Sequence, residues 1–281
     1  MRTLALFCCQ FALLVAAPAA QAAPRVVALT PFSASTVTRL GVRPVAIGQS
    51  LGGTDRFLAS LRGLPVLPLS HPLGPNPEQL AAYRPTLVLS SKTWQRGTPA
   101  MRRMGIRVYE SDPVSVAAVA RETRTIGALV GRKRAAEALA RRIENDVAAA
   151  KRGIRRNPRV LVILGVGRTP YAMLANSWGG DVVRQAGGRL LTDGLRSPSG
   201  IARISDELVV ARNPDVIIAV PHGSPGAIKR LAAYYRSNPN WRNTNAVRNG
   251  RVYVATGNSL LQPYPHVAAT IRDVRRKFLK N

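Results

Sequence analysis

Cysteine is almost missing from this chain. Of its 281 residues only Cys8 and Cys9 are cysteines, and both lie in an apolar stretch near the start. The rest of the chain therefore forms no disulfide, no cysteine cluster and no thiol nucleophile. Histidine is scarce too: His71, His222 and His266 stand far apart, which argues against a closed zinc site. No later run approaches the roughly 20 apolar residues of a spanning helix. Catalytic patterns are also wanting. Gly165-Val166-Gly167 follows an apolar run but has no third glycine at the spacing of a dinucleotide loop, and Pro170 blocks an early helix. No Gly-x-Ser-x-Gly elbow accompanies the serines. Acid is the last shortage. Fourteen Asp and Glu against 41 Lys and Arg give a formal charge of +27, which points to an anionic partner (nucleic acid, membrane surface or acidic small molecule) or to a solvated basic face.

What is present begins with an export signal. Arg2 supplies a positive end, Leu4 to Ala17 an apolar stretch, and Ala20-Gln21-Ala22 a small-x-small cleavage site. Residues 1–22 are thus expected to be removed, leaving a periplasmic product with no lipid-anchor cysteine at the cut. Export makes nucleic acid an unsuitable partner. The 46% hydrophobic content excludes a disordered chain.

The remainder alternates short apolar runs with helical patterns, the mark of an α/β fold with parallel strands. Strands are predicted at Val26 to Leu29, Pro44 to Ile47, Val66 to Leu67, Thr86 to Leu89 and Arg107 to Tyr109. A second unit follows with Arg159 to Val166, Asp215 to Val220 and Arg251 to Val254. Its helices are expected at Gly179 to Ala186, at Asp206 to Arg212 behind Ser205, at Pro225 to Arg236 behind Ser224, and at Pro265 to Phe278. Between the units, Ala136, Leu139, Ile143, Val147 and Ala150 recur at helical spacing with nothing to break the helix. Some 20 residues at ~1.5 Å span ~30 Å, which suits a strut between two lobes as well as an ordinary surface helix. The expected division is an N-terminal lobe over 23–132, a linking helix over 133–153 and a C-terminal lobe over 154–281.

Several segments, in this order, resemble the periplasmic binding proteins that bring iron complexes, haem and cobalamin to ABC importers. In the first lobe they are Val26-Val27-Ala28-Leu29-Thr30-Pro31, then Leu73-Gly74-Pro75-Asn76-Pro77-Glu78-Gln79-Leu80 running to Arg84-Pro85-Thr86-Leu87-Val88-Leu89. In the second they are Gly179-Gly180-Asp181-Val182-Val183 with Ala186-Gly187-Gly188, and Ser205-Asp206-Glu207 ahead of Arg212-Asn213-Pro214-Asp215-Val216-Ile217-Ile218. The resemblance implies two parallel-sheet lobes joined by one long helix, the class III arrangement. The second lobe is most similar to Isd-type haem receptors through His222-Gly223-Ser224-Pro225 and the stretch from Asn238-Pro239-Asn240-Trp241 to Val252-Tyr253. That similarity implies His222 as a ligand of haem iron. The receptors' methionine position falls on Leu73, which cannot ligate iron, with His71 two residues earlier. It also implies docking of an inner-membrane permease at Glu207 and at the position of Ser35.

The residues themselves give a compatible reading. His222 directly follows a predicted strand, where ligand sites of parallel sheets gather; it either ligates or merely hydrogen-bonds in the turn. Ser91, Lys92 and Trp94 follow a second strand, residues 168–178 including Trp178 a third, and Tyr264 with His266 a fourth. Aromatic faces with nearby cations suit a flat acidic macrocycle, though each aromatic alone is as well explained by packing. The sequence is therefore read as a monomeric binding protein without a cofactor of its own and without enzymatic activity. It takes haem or a ferric complex as transported small-molecule ligand and hands it to a permease. Ferric-siderophore or cobalamin binding is the alternative, and a secreted two-lobed hydrolase the rival class.

Overall fold

The computed structural model describes residues 23–49, 59–154, 157–223 and 225–280. The predicted signal peptide over 1–22 and the cap residue Ser224 lie outside them.

The first half is built on β1 (Val26–Ala28), α1 (Pro31–Arg39), β2 (Ala46–Gly48), β3 (Val66–Leu67), α2 (Pro77–Ala81), β4 (Leu87–Ser90), α3 (Thr98–Arg103) and β5 (Arg107–Glu110). Its sheet runs β3-β2-β1-β4-β5, with every pairing parallel. The central strands β1, β2 and β4 are wholly buried, as expected of apolar runs covered on both faces. Helices α1 and α2 start where a side chain satisfies their free N–H groups, whereas α3 follows Gly97 and has no such cap. Thr30 and Ser33 form a reciprocal capping box on α1, and Asn76 accepts from Glu78 and Gln79 on α2.

Two long helices follow, α4 (Val116–Leu129) and α5 (Lys133–Lys151). Gly131, at φ +69°, makes the turn between them. They touch closely at Gly127, where a Cβ would collide with the Ala136 methyl. Across the outer side Arg124 bonds Glu137 at 2.8 Å and Glu144 at 2.7 Å, and Arg141 joins Glu137 at 2.8 Å. The hydrogen bond from Arg124, then that from Arg141, pulls the Glu137 carboxyl down to about 2. The 19 residues of α5 give about 28 Å of helix. Their buried face is Ala136, Ala140, Ile143 and Ala150.

The second half comprises β6 (Arg159–Val166), β7 (Thr169–Met173), α6 (Trp178–Gln185), β8 (Arg189–Leu190), β9 (Ile201–Arg203), α7 (Asp206–Arg212), β10 (Val216–His222), α8 (Pro225–Arg236), α9 (Asn245–Arg248), β11 (Val252–Val254) and α10 (Val267–Val274), which runs on into a π turn at Arg275–Leu279. The sheet order is β11-β10-β6-β7-β9, with β8 beside the start of β6. Here the all-parallel expectation for the second lobe needs correction. β7 and β9 are antiparallel to their neighbours, so the sheet is mixed. Gly167, at φ +61°, turns the chain straight back at the end of β6, and much of the segment expected as a cleft loop is strand.

One apolar core runs through both halves. It joins Phe32, Val37 and Leu89 of the first to Val119, Ile126, Ala140 and Ile143 of α4 and α5, and on to Val160, Val182, Ile218 and Ile271 of the second. A polar link crosses the same seam. Asp181, in the first turn of α6 and 1% exposed, accepts a 2.7 Å hydrogen bond from the Val116 N–H at the start of α4. Its other oxygen is held by Arg184 and Gln185.

Candidate functional site

The carboxyl ends of the parallel strands carry the candidate site. In the second sheet β10 ends on His222, paired in register with Val166 of β6. The ring is partly exposed, yet its Nδ1 is buried and has no hydrogen-bond partner among the described residues. Because buried polar atoms are normally satisfied, such an atom calls for an explanation. Beside it Val166 is 48% exposed. Next along the turn, the Arg168 guanidinium lies 5.3 Å from the centroid of the Tyr234 ring. Tyr235 fixes this turn by donating its hydroxyl to the Gly167 carbonyl at 3.1 Å.

In the first sheet the loop after β3 presents His71, exposed, and Leu73, 56% exposed. Gly97 backs this loop, and a Cβ there would strike the Leu73 carbonyl oxygen. The loop after β4 exposes Lys92. After β5 come Asp112 and Val114, the latter 54% exposed. Burial pushes the Asp112 carboxyl above its usual value, against the pull of the Ser91 hydroxyl and Lys92.

Several predicted site residues serve other purposes. The Ser91 hydroxyl, almost fully buried, donates to Asp112 at 2.7 Å and accepts from the Thr93 N–H, so it ties two loops together. Trp94 is 5% exposed and packs in the core of the first sheet beside Gly74. Trp178 is equally enclosed, its Nε1 donating to the Ser259 carbonyl. Both tryptophans are therefore packing residues rather than open ligand faces. Tyr264 and His266 lie ring to ring, centroids 5.0 Å apart. Burial, then the charge of Arg39 from α1, lowers the His266 imidazole, which puts this pair near the first half.

The two docking positions differ as well. Glu207 is exposed in the first turn of α7, and the Ser205 hydroxyl holds its carboxyl below the usual range. Its neighbour Asp206 is occupied, accepting from the Trp241 indole at 2.6 Å and from Asn240. Ser35 is 2% exposed, within α1. A buried hydroxyl has no surface for a partner's arginine, in keeping with an acidic anchor that is missing from this position. Sequence reasoning missed Asp112, Val114 and Val166, although the place of each at a strand's carboxyl end was readable. It also missed the link made by Asp181, for which no local signal exists.

Two α/β lobes on a shared helical seam, with a histidine and exposed apolar side chains at the strand ends, have the architecture of a two-lobed binding protein. The sequence matches the periplasmic binding protein family over residues 26–258, and the chain belongs to that family. It is 29% identical over 260 residues to a cobalamin-binding protein of Halobacterium salinarum, covering 90% of this chain and 69% of the relative. It is 28% identical over 194 residues to the high-affinity haem uptake protein IsdE of Staphylococcus aureus, covering 66% and 64%. The crystal structure of S. aureus IsdE complexed with haem superposes with a TM-score of 0.76 at 22% identity, over 92% of this chain and 99% of that one; this likeness concerns the fold.

Proposed function

We propose that the protein is the solute-binding component of an ABC importer, exported to the periplasm, which captures haem or a related iron complex between its lobes and delivers it to a permease without making or breaking a bond. The observation that carries this is the enclosed, unpartnered Nδ1 of His222 at the end of β10. An enclosed Nδ1 cannot itself reach a ligand, so a donor from this ring would be Nε2, and an imidazole nitrogen is a common axial donor to haem iron. Among the described residues no group of three His, Cys, Asp or Glu stands ready to hold a bare metal ion. A single histidine suits a metal whose other ligands arrive with it. The exposed Leu73, Val114 and Val166 offer apolar contact to a flat macrocycle, and Lys92 a cation for its carboxylates.

Haem titration of the purified protein tests the reading. Wild type should give a Soret band that His222→Ala abolishes or strongly shifts, since losing an axial ligand changes the iron's coordination outright. His71→Ala should alter the band only if His71 reaches the iron from the other side. The same spectrum after His222→Ala, or no haem binding at all, overturns the haem reading. Cobalamin or a ferric siderophore would then be the ligand class, favoured by the cobalamin-binding relative that aligns with 90% of this chain.

A further inference from the structure

The end of α5, on the seam between the halves, separates two concavities that no part of the proposed transport role uses. One, of about 480 Å³, lies between α5 and α10 and has an alanine floor. Five cations line it, Arg152, Arg272, Arg275, Arg276 and Lys280, against the single acid Asp273. That acid is already occupied by Arg276 at 2.7 Å and Lys277 at 3.8 Å. Arg275 is anchored by donating to the Arg152 carbonyl at 3.1 Å. The side chains of Arg152, Arg272 and Lys280 make no ion pair among the described residues. The other concavity, about 490 Å³, runs between α4, α5 and the end of α6. Val116, Ala120, Ile143 and Val147 line it with Glu144 and Gln185, Glu144 being taken up by Arg124 at 2.7 Å, and Lys151 and Arg152 border it. Arg152 borders both.

An unpaired cation cluster calls for a polyvalent anion, and phosphate oxygens meet guanidinium groups in paired hydrogen bonds. A free anion would use only the basic concavity and would leave the apolar one beside it without a purpose. A phosphate group bearing a hydrocarbon chain uses both. We propose that this surface docks on an anionic phospholipid, its phosphate among Arg152, Arg272 and Lys280 and an acyl segment along Val116 to Val147. The site is independent of the ligand in the cleft, and it directs part of the chain's large positive charge to one place, the membrane surface.

Flotation of the full chain with vesicles tests it. Vesicles of phosphatidylcholine alone should leave the protein in solution, and those containing phosphatidylglycerol should carry it. Replacing Arg152, Arg272 and Lys280 together by Ser should weaken partition about a hundredfold, given the usual contribution of each cation at an anionic surface. Replacing Arg62, Arg102 and Arg103 of the first lobe by Ser removes the same charge and should change partition less than about threefold, because these are outside the site. Ala117→Asp puts an acid into the lining of this concavity, in the first turn of α4 where the helix tolerates it, and should also weaken binding. Equal losses from the two triple variants would mean unspecific attraction and overturn the proposal. So would undiminished binding by Ala117→Asp, or full release by millimolar inorganic phosphate at constant ionic strength, which would reveal a site for the free ion.

Discussion

Replacing Asp181 by Ala should loosen the joint between the halves, and the size of the effect can be worked from its contacts. The carboxylate is 1% exposed and accepts from the Val116 N–H at 2.7 Å. A hydrogen bond to a charged acceptor contributes about 1.5–3 kcal/mol, and a carboxylate at a partly buried helix N-terminus adds about 0.5–2 kcal/mol. Against this stands the relief of desolvating the carboxylate. Arg184 loses its partner but is itself 56% exposed and returns to water at little cost. The net expectation is a loss of about 2–3 kcal/mol, with Asp181→Asn, which keeps an acceptor oxygen, losing about half as much. Urea unfolding followed by tryptophan fluorescence reads both. The same experiment should show one transition, because the core is continuous across the seam, and hydrogen exchange at the Val116 amide should accelerate in the Ala variant. A loss below about 0.5 kcal/mol, with the exchange of Val116 unchanged, would refute the reasoning.

Three other outcomes are expected. If the exposed carboxylate of Glu207 on α7 docks the permease, Glu207→Gln should impair uptake in cells while leaving ligand affinity unchanged; normal uptake removes the docking role. Small-angle scattering with and without ligand should change only slightly, since no Pro or Gly interrupts α5, and a large contraction on binding would count against a rigid strut. Glu137 has its carboxyl lowered from 4.5 to about 2 by Arg124 and Arg141. A lowered acid stabilises the fold above its unfolded value and ceases to do so as pH falls through its folded value. Melting temperature should therefore fall between about pH 4.5 and 2, and Arg124→Gln should flatten that slope; an unaltered slope would deny the network its part.

Most of the framework was readable because the signals were local. The β-branched run Arg159–Val166 and the helices beginning at Asp206 and Pro225 fall where periodicity, caps and proline place them. The antiparallel strands escaped notice for a physical reason. Gly167 and Pro170 both read as breakers, yet glycine makes the two-residue turn, and Pro170 occupies β7 opposite Gly165. The candidate site was less legible. Trp94 and Trp178 follow strands, as ligand-facing aromatics do, but their segments fold back into the core, and only tertiary packing decides this. Asp181 near the start of α6 reads as a partner for its own helix. That it also serves α4, 65 residues earlier in the chain, is a fact of assembly.

The continuous core bears on how this protein can be recombined with its relatives. A chimera that cuts at the middle of the chain and takes one lobe from each parent would set α4, α5 and α6 from different sequences against one another. The Gly127–Ala136 approach, the Arg124 cluster and the Asp181–Val116 link would have to match by chance. Grafts that keep α4 through α6 from one parent and exchange only the loops at the strand ends leave that seam whole. New ligand specificities on this scaffold are therefore more readily reached by loop replacement than by lobe exchange.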